Sequence, residues 1–339
     1  MNNIYNLTLN DLEEYFVSIG EKKFKGQQVF DWLYRKKVKS FDEMTNLKKD
    51  IIEVLKNNFE MNTISITKVE KDIDVSKYLF RLKDDEKVEA VLMDHLYGNS
   101  LCISTQVGCN MGCRFCESGR LKKIRNLETH EMIEQVLKVE EECGKRISHI
   151  VIMGIGEPFD NYDNLIKFIE IVNNPKGLEL GSRHITVSTC GLVPKIKEFT
   201  LLPYQVNLAI SLHAPNNTIR DMIMPVNKAY PLDVLIPTLK DYIAKTNRRV
   251  TFEYILLDGI NDTEECALEL ANLVKGMNCY INLIPYNETN NISYKRTKKE
   301  NISKFYDILK KSRVNVTIRR EYGSKISAAC GQLRSKKED

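Results

Sequence analysis

The order of apolar and polar residues divides the chain into three patterns. Over residues 1 to 60 apolar positions recur at helical spacing. Leu12, Tyr15 and Phe16 form one such face, with Asn10 as a cap and Gly20 as a stop. Val29, Phe30, Trp32 and Leu33 form a second, in a helix over 27–35, and a third helix covers 47–57. Ser40 suits the cap of a short turn, and core packing is the expected role of the single Trp. From about 61 to 100 short alternating runs take over: Ile64, Ile66 and Val69, then Tyr78, Phe80 and Leu82, then Val88, Ala90 and Val91. Asp84-Asp85 is a turn between two of them, so this stretch reads as a small antiparallel sheet linking two domains. Glu89 lies in the last run, where a Glu is expected to face solvent and position alone gives it no function.

From about 101 the rhythm is strand, loop, helix, repeated. Strands are expected over 101–105, 150–154, 184–189, 206–213, 249–257, 280–285 and 314–319. Helices are expected over 129–142, 162–172, 193–200, 231–246, 263–275 and 298–312, with Thr129, Thr263 and Thr297 as N-caps. This alternation implies a parallel sheet with crossover helices, an open or closed α/β barrel. Sites in such barrels lie at the C-terminal ends of the strands. Gly154, Gly156 and Glu157 follow one strand, Ser188 and Thr189 end the next, Ser211, Leu212 and His213 another, and Asn282 to Asn287 a fourth. Each alone reads as a turn or cap; together they point to a ligand site.

Composition narrows the class. The 339 residues, 42% apolar and 28% charged, suit a globular protein with a main domain and an accessory one. No apolar run of about eighteen residues is present, so no membrane span is expected. The N-terminal residues lack the basic and apolar stretches of a signal peptide. Nine cysteines, an odd number, then argue for reduced thiols in the cytoplasm rather than a disulfide framework. A net charge of +4 says little about nucleic acid. Basic clusters at 22–25, 35–39, 295–299, 310–313 and 334–337 read individually as solvated faces and jointly as a phosphate-tracking surface.

The densest chemistry lies between 102 and 119. Cys109, Cys113 and Cys116 are spaced C-x3-C-x2-C and flanked by Gly108 and Gly112. Such thiolates can converge on zinc, copper(I) or an iron–sulfur cluster. A structural zinc site wants a fourth ligand, and the next candidates, His130 and Cys143, belong to no second ligand pair. Core cysteines close by chance are the bland alternative. A four-iron cluster on three cysteines keeps one iron open. The spacing, with Phe115 before the last Cys, resembles the radical S-adenosylmethionine (SAM) superfamily, where the open iron chelates SAM and an electron cleaves it to a 5′-deoxyadenosyl radical.

Nearly the whole chain resembles the RlmN/Cfr family of radical-SAM RNA methyltransferases. The resemblance runs from Lys25-Gly26-Gln27-Gln28 through the cysteine loop, residues 154–158, 211–215, 224–227, 282–286 and 318–322, to Ala329-Cys330-Gly331-Gln332-Leu333. It implies a partial (β/α)6-type radical-SAM barrel over 98–339, an N-terminal helical accessory domain over 1–60 that contacts RNA, and a linking β-sheet over 61–97. It implies a [4Fe-4S] cluster on Cys109, Cys113 and Cys116, and SAM held by Gly156, Glu157, Ser188, Ser211, Leu212, His213 and Asn287. Cys330 would carry a methyl group, a SAM-derived radical would activate it, and the carbon radical would add to adenine. Cys102 would then attack the Cys330 sulfur, leaving a transient disulfide, and Glu89 would accept the ring proton. The implied partners are 23S rRNA, tRNA and an electron donor such as flavodoxin or ferredoxin, with no membrane.

Glu157-Pro158, Ile284-Pro285 and Arg319-Arg320-Glu321 look like the branch that methylates C2; the other branch methylates C8. Glu117-Ser118 and Glu288-Thr289-Asn290-Asn291 depart from both. A different class, a cluster-bearing RNA-binding or electron-transfer protein, would not need Cys102 and Cys330.

Overall fold

The computed structural model describes residues 1–289, 291–319, 326, 328 and 331–333. Helices α1 (Leu9–Ser18), α2 (Phe24–Tyr34) and α3 (Lys49–Asn58) form the N-terminal part. The cap of α1 is Thr8, not Asn10. Its hydroxyl accepts from Asp11 N at 3.2 Å while the Asp11 carboxylate accepts from Thr8 N at 3.0 Å. Asn10 instead lies inside the helix and reaches Glu14. Trp32 is half-buried, with its ring N–H on Asn46 at 2.6 Å and the Lys36 ammonium 3.4 Å from its ring centroid.

Ten strands form one sheet, and their order across it is their order along the chain. β1 (Ser65–Asp72), β2 (Val75–Arg81), β3 (Lys87–His95) and β4 (Gly98–Cys102) are antiparallel neighbours. From β4 onward every pair is parallel: β5 (Ile147–Ile152), β6 (Ile185–Thr189), β7 (Asn207–Ser211), β8 (Val250–Leu256), β9 (Cys279–Pro285) and β10 (Val316–Ile318). The crossovers carry α4 (Thr129–Cys143), α5 (Tyr162–Asn173), α6 (Val193–Thr200), α7 (Asn217–Ile223), α8 (Leu232–Thr246), α9 (Glu264–Leu273) and α10 (Lys299–Lys311). The expected α/β rhythm is therefore present, with α7 as an addition. Thr263 caps α9 as expected. Thr129 does not cap α4; Glu128 does, through a capping box with Glu131, and Lys298 rather than Thr297 precedes α10.

The linking strands are not a separate sheet. β3 hydrogen-bonds to β4 with Val91 opposite Cys102, so β1–β3 extend the barrel sheet along an edge that would otherwise expose unpaired backbone groups. The N-terminal helices are joined to the rest as closely. Ile4, Tyr5, Phe16 and Phe30 belong to the same buried cluster as Met132, Ile133 and Val136 of α4 and Ile150 of β5. The fully buried Glu134 of α4 accepts from Asn3 Nδ2 and Ile64 N, both at 3.0 Å. Part of the basic cluster at 35–39 is spent here too, since Lys37 pairs with Glu140 at 2.6 Å and Lys39 with Glu141. Such exposed pairs add little stability.

Gly26 sets the spacing of α1 and α2. A Cβ there would lie 2.7 Å from Glu13 N and 2.8 Å from Leu12 C, both backbone atoms of α1. Ala at this position gains helix propensity of about 1 kcal/mol, but the overlap forces the helices apart, at a cost of about 1–3 kcal/mol. Gly26→Ala is expected to lower the midpoint of thermal unfolding; an unchanged or raised midpoint would show that α1 can shift freely.

Candidate active site at the C-terminal rim of the parallel strands

After β4 the chain enters the cysteine loop. Gln106–Val107 pairs with Arg125–Asn126 and closes the loop at its base. Inside it, Cys109 N donates to Leu121 O at 3.0 Å, Cys116 N to Cys113 O at 3.2 Å, and Gly119 N to Cys116 O at 3.1 Å. Phe115 places its ring edge-on to His213, with centroids 4.7 Å apart. The three thiols thus come from a turn folded back on itself, over a cavity of about 150 Å³. Gly156, Glu157, Ser188, Ser211 and His213 line the same cavity, from the rims of β5, β6 and β7.

Backbone geometry shapes this cradle at Gly156. Its φ is +109°, and a Cβ would lie 2.6 Å from the Gln106 Cβ. Gln106 in turn accepts from Glu157 N at 2.9 Å through its side-chain oxygen. The Glu157 carboxylate accepts from Phe159 N at 3.0 Å and Cys190 N at 2.8 Å. Burial raises its carboxyl above the usual range, and these bonds work against that rise. His213 Nδ1 accepts from Ile255 N at 3.0 Å. Burial, and then the Arg220 cation, lower this imidazole to about 3, which keeps the ring neutral.

Two expected SAM contacts are placed differently. The Leu212 side chain is fully buried in the main core, so only its backbone can serve the rim; its carbonyl accepts from Arg220 Nε at 3.1 Å. Asn287 is buried just beyond β9 and does not line the cavity. Three residues went unnoticed in the sequence. Cys190 lines the cavity and is held by Arg220 through its carbonyl at 2.7 Å. Glu253 of β8 lines it and lies 3.7 Å from the Arg319 guanidinium. Arg220, on the short α7, is fully buried. No spacing rule marks an interior Arg in a seven-residue helix.

Cys102 and Glu89 do not line the cavity. Cys102 is buried in a cluster with Val91, Met93, Ala328 and Leu333. Glu89 points to the same face of the sheet, two residues along β3 from Val91, towards the rim. It is buried rather than solvent-facing, with its carboxylate 3.5 Å from the Lys77 ammonium. Cys330 lies outside the described residues, as do Asn290, Arg320, Glu321 and the basic residues 334–337. Its neighbour Gly331 lines the cavity, and Gly331 O accepts from Glu117 N at 2.8 Å.

Comparison with known proteins fits this arrangement. Residues 2–61 match the family model of the ribosomal RNA large subunit methyltransferase N-terminal domain, and residues 103–271 that of the radical SAM superfamily. The probable dual-specificity RNA methyltransferase RlmN of Spiroplasma citri is 52% identical over 342 aligned positions, covering 100% of this chain and 99% of its own. The chain belongs to the RlmN family. The RlmN of Listeria monocytogenes is also 52% identical, over 98% of this chain and 93% of its own. The crystal structure of a radical SAM methyltransferase from Sphaerobacter thermophilus superposes with a TM-score of 0.94 at 40% identity, covering 99% of this chain and all of that one.

RlmN-family enzymes use a [4Fe-4S] cluster and SAM, and the residues here fit both. Among the described residues no three His, Cys, Asp or Glu side chains converge on a single-ion position. The three thiols line one shared cavity and would hold the cluster there. Burial pushes the Cys109 thiol up to about 12, with Cys116 adding to the rise. Burial also raises Cys113 well above its ordinary value, and Cys116 and Cys109 add to it. Soft sulfur donors that are buried and mutually repelling suit a cationic iron centre. The glycine cradle and the buried Glu157 beside it suit the polar end of SAM.

The neutral His213 gives a pH prediction. In the unfolded chain its imidazole takes up a proton below about pH 6.5, whereas the folded ring refuses one until about 3. Stability is therefore expected to fall as pH drops below 6.5, with this ring contributing a slope of up to about 1.4 kcal/mol per pH unit. Urea unfolding of wild type and His213→Asn between pH 6.5 and 4.5 checks it; the variant should show the shallower slope.

Proposed function

We propose that this enzyme methylates C2 of an adenine in 23S rRNA, and an adenine in tRNA, by way of a methyl group carried on Cys330. The observation that carries the proposal is the docking of residues on either side of Cys330. Ala328 and Leu333 pack in one buried cluster with Cys102, while Gly331 lines the cavity of the cysteine loop. These described neighbours support Cys330 as the methyl carrier between the radical source and Cys102.

The roles follow from position. Cys109, Cys113 and Cys116 hold the cluster. Gly156, Glu157, Ser188, Ser211, His213 and the Leu212 backbone would hold SAM, with Asn287, buried just beyond β9, as a further expected contact. When bound, cluster and SAM supply the radical that takes a hydrogen from the S-methyl group. The carbon radical on Cys330 adds to the adenine ring, forming the new carbon–carbon bond, and the odd electron of the adduct would pass back to the bound cluster. Glu89, buried on the same face as Cys102, receives the ring proton, with Lys77 beside it to steady the carboxylate charge. The Cys102 thiolate then attacks the Cys330 sulfur, forming a disulfide between the two and breaking the bond from sulfur to the transferred carbon, which takes up a proton to become the methyl group of the released base.

The division into 1–60, 61–97 and 98–339 assigns RNA contact to the helical N-terminal unit. An adenine stacked in folded RNA must be extruded to reach the rim. A flavodoxin- or ferredoxin-type donor supplies the electron, in the cytoplasm. No helix of the described residues is long and apolar enough to cross a membrane.

Anaerobically reconstituted enzyme with SAM and reductant should form 5′-deoxyadenosine, and nucleosides from treated RNA should contain 2-methyladenosine by mass spectrometry. 8-Methyladenosine would overturn the C2 assignment. Cys330→Ala should abolish transfer to RNA; normal product yield would overturn the methyl-carrier role.

Cys102→Ser should accumulate RNA joined covalently to protein, visible as a nuclease-sensitive shift on a denaturing gel. Free product at the wild-type rate would remove Cys102 from the release step.

A further inference from the structure

The rim cavity occupies one end of the barrel. At the other end, where the parallel strands begin, lies a larger cavity of about 680 Å³. That volume falls in the range of roughly 300–1,000 Å³ typical of small-ligand sites. Among the described residues, four arginines line it against a single carboxylate, Glu253. Glu253 sits deeper and belongs with Arg319 at 3.7 Å. The other three, Arg183, Arg248 and Arg249, come from the entries to β6 and β8.

These three guanidiniums have neutral partners among the described residues. Arg183 donates to the Gln205 side-chain oxygen at 3.2 and 3.1 Å. Arg248 donates to Asn207 Oδ1 at 2.9 Å, and its Nε is buried with no hydrogen-bond partner. Arg249 lies 4.9 Å from the Tyr280 ring centroid. Gathering like charges around a concavity is unfavourable unless an anion joins them, and planar guanidinium forks match phosphate oxygens. Thr186, Thr251 and Asn282 add neutral hydrogen-bonding groups deeper in the cavity.

We infer that this opposite mouth of the barrel binds a small phosphorylated anion, of the size of an oligophosphate or nucleoside polyphosphate. The inference does not depend on the regiochemistry or the methyl carrier proposed above. Arg319 and Glu253 line both cavities, so an anion that draws Arg319 downward also touches the wall of the SAM pocket.

The test is calorimetric titration of the full-length protein with sodium tripolyphosphate. Wild type should bind saturably, and Arg248→Gln/Arg249→Gln should bind at least about tenfold more weakly, with its thermal midpoint and SAM cleavage retained. Arg183→Gln, at an exposed position, should weaken binding without risk to folding. Lys310→Gln/Lys311→Gln, on α10, should leave the affinity unchanged. Absence of saturable heat with wild type, equal affinity in the arginine variants, or an equal loss in the lysine variant would each overturn the inference. So would loss of tRNA binding in the arginine variants without tripolyphosphate binding by wild type, which would assign the mouth to an RNA backbone.

Discussion

The site depends on one buried cation. Strands that stop at a rim leave carbonyls with no ladder partner, and in a buried site each unmet carbonyl is costly. Arg220 meets several at once. Its guanidinium donates to Cys190 O at 2.7 Å, Leu212 O at 3.1 Å and Ser211 O at 3.3 Å, and to Asn227 Oδ1 at 2.9 Å. The end of β7 and the turn after β6 are thereby fixed to each other. Because Cys190 N binds Glu157, the fixation extends to the loop after β5. Ser211, His213 and Glu157 are held in place before any ligand arrives, which is how binding energy is kept for the ligand itself.

Much of this was legible along the chain because it depends on local period. The strand–helix alternation and the cysteine spacing survive intact, and of the strand-end residues Gly156, Glu157, Ser188, Ser211 and His213 line one cavity while Asn287 does not. What was not legible depends on long-range pairing. The alternating runs at 65–95 announce strands but not that they would lie beside β4 in the same sheet. A Glu in such a run reads as exposed; Glu89 is buried because β2 brings Lys77 next to it. Capping assignments slipped by one or two residues at Asn10, Thr129 and Thr297, where a neighbour offered a reciprocal bond or the helix began later. Leu212 shows the limit of motif transfer, since a matched position can contribute backbone while its side chain serves the core.

The two stretches that depart from the family pattern meet in space. The Asn291 amide lies 3.3 Å from both oxygens of Glu117, and Arg120 donates to Asn291 O at 2.5 Å. Ser118 donates to Leu333 O at 2.8 Å, and Gln332 to Glu288 O at 3.3 Å. The departures are thus one contact made from two sides. It closes over the residues following Cys330, a role that neither stretch suggests when read alone.

The clasp at Glu134 has a mechanical consequence. A helical unit that shared no core with the barrel could swing to meet its substrate. Here Asn3 and Ile64 converge on a carboxylate with no access to water, and the apolar cluster runs on without a seam from α2 into α4. Rotating the unit would strip those bonds in a place where water cannot replace them. The helical unit and the barrel therefore behave as one fixed gauge, with no hinge between them at this clasp.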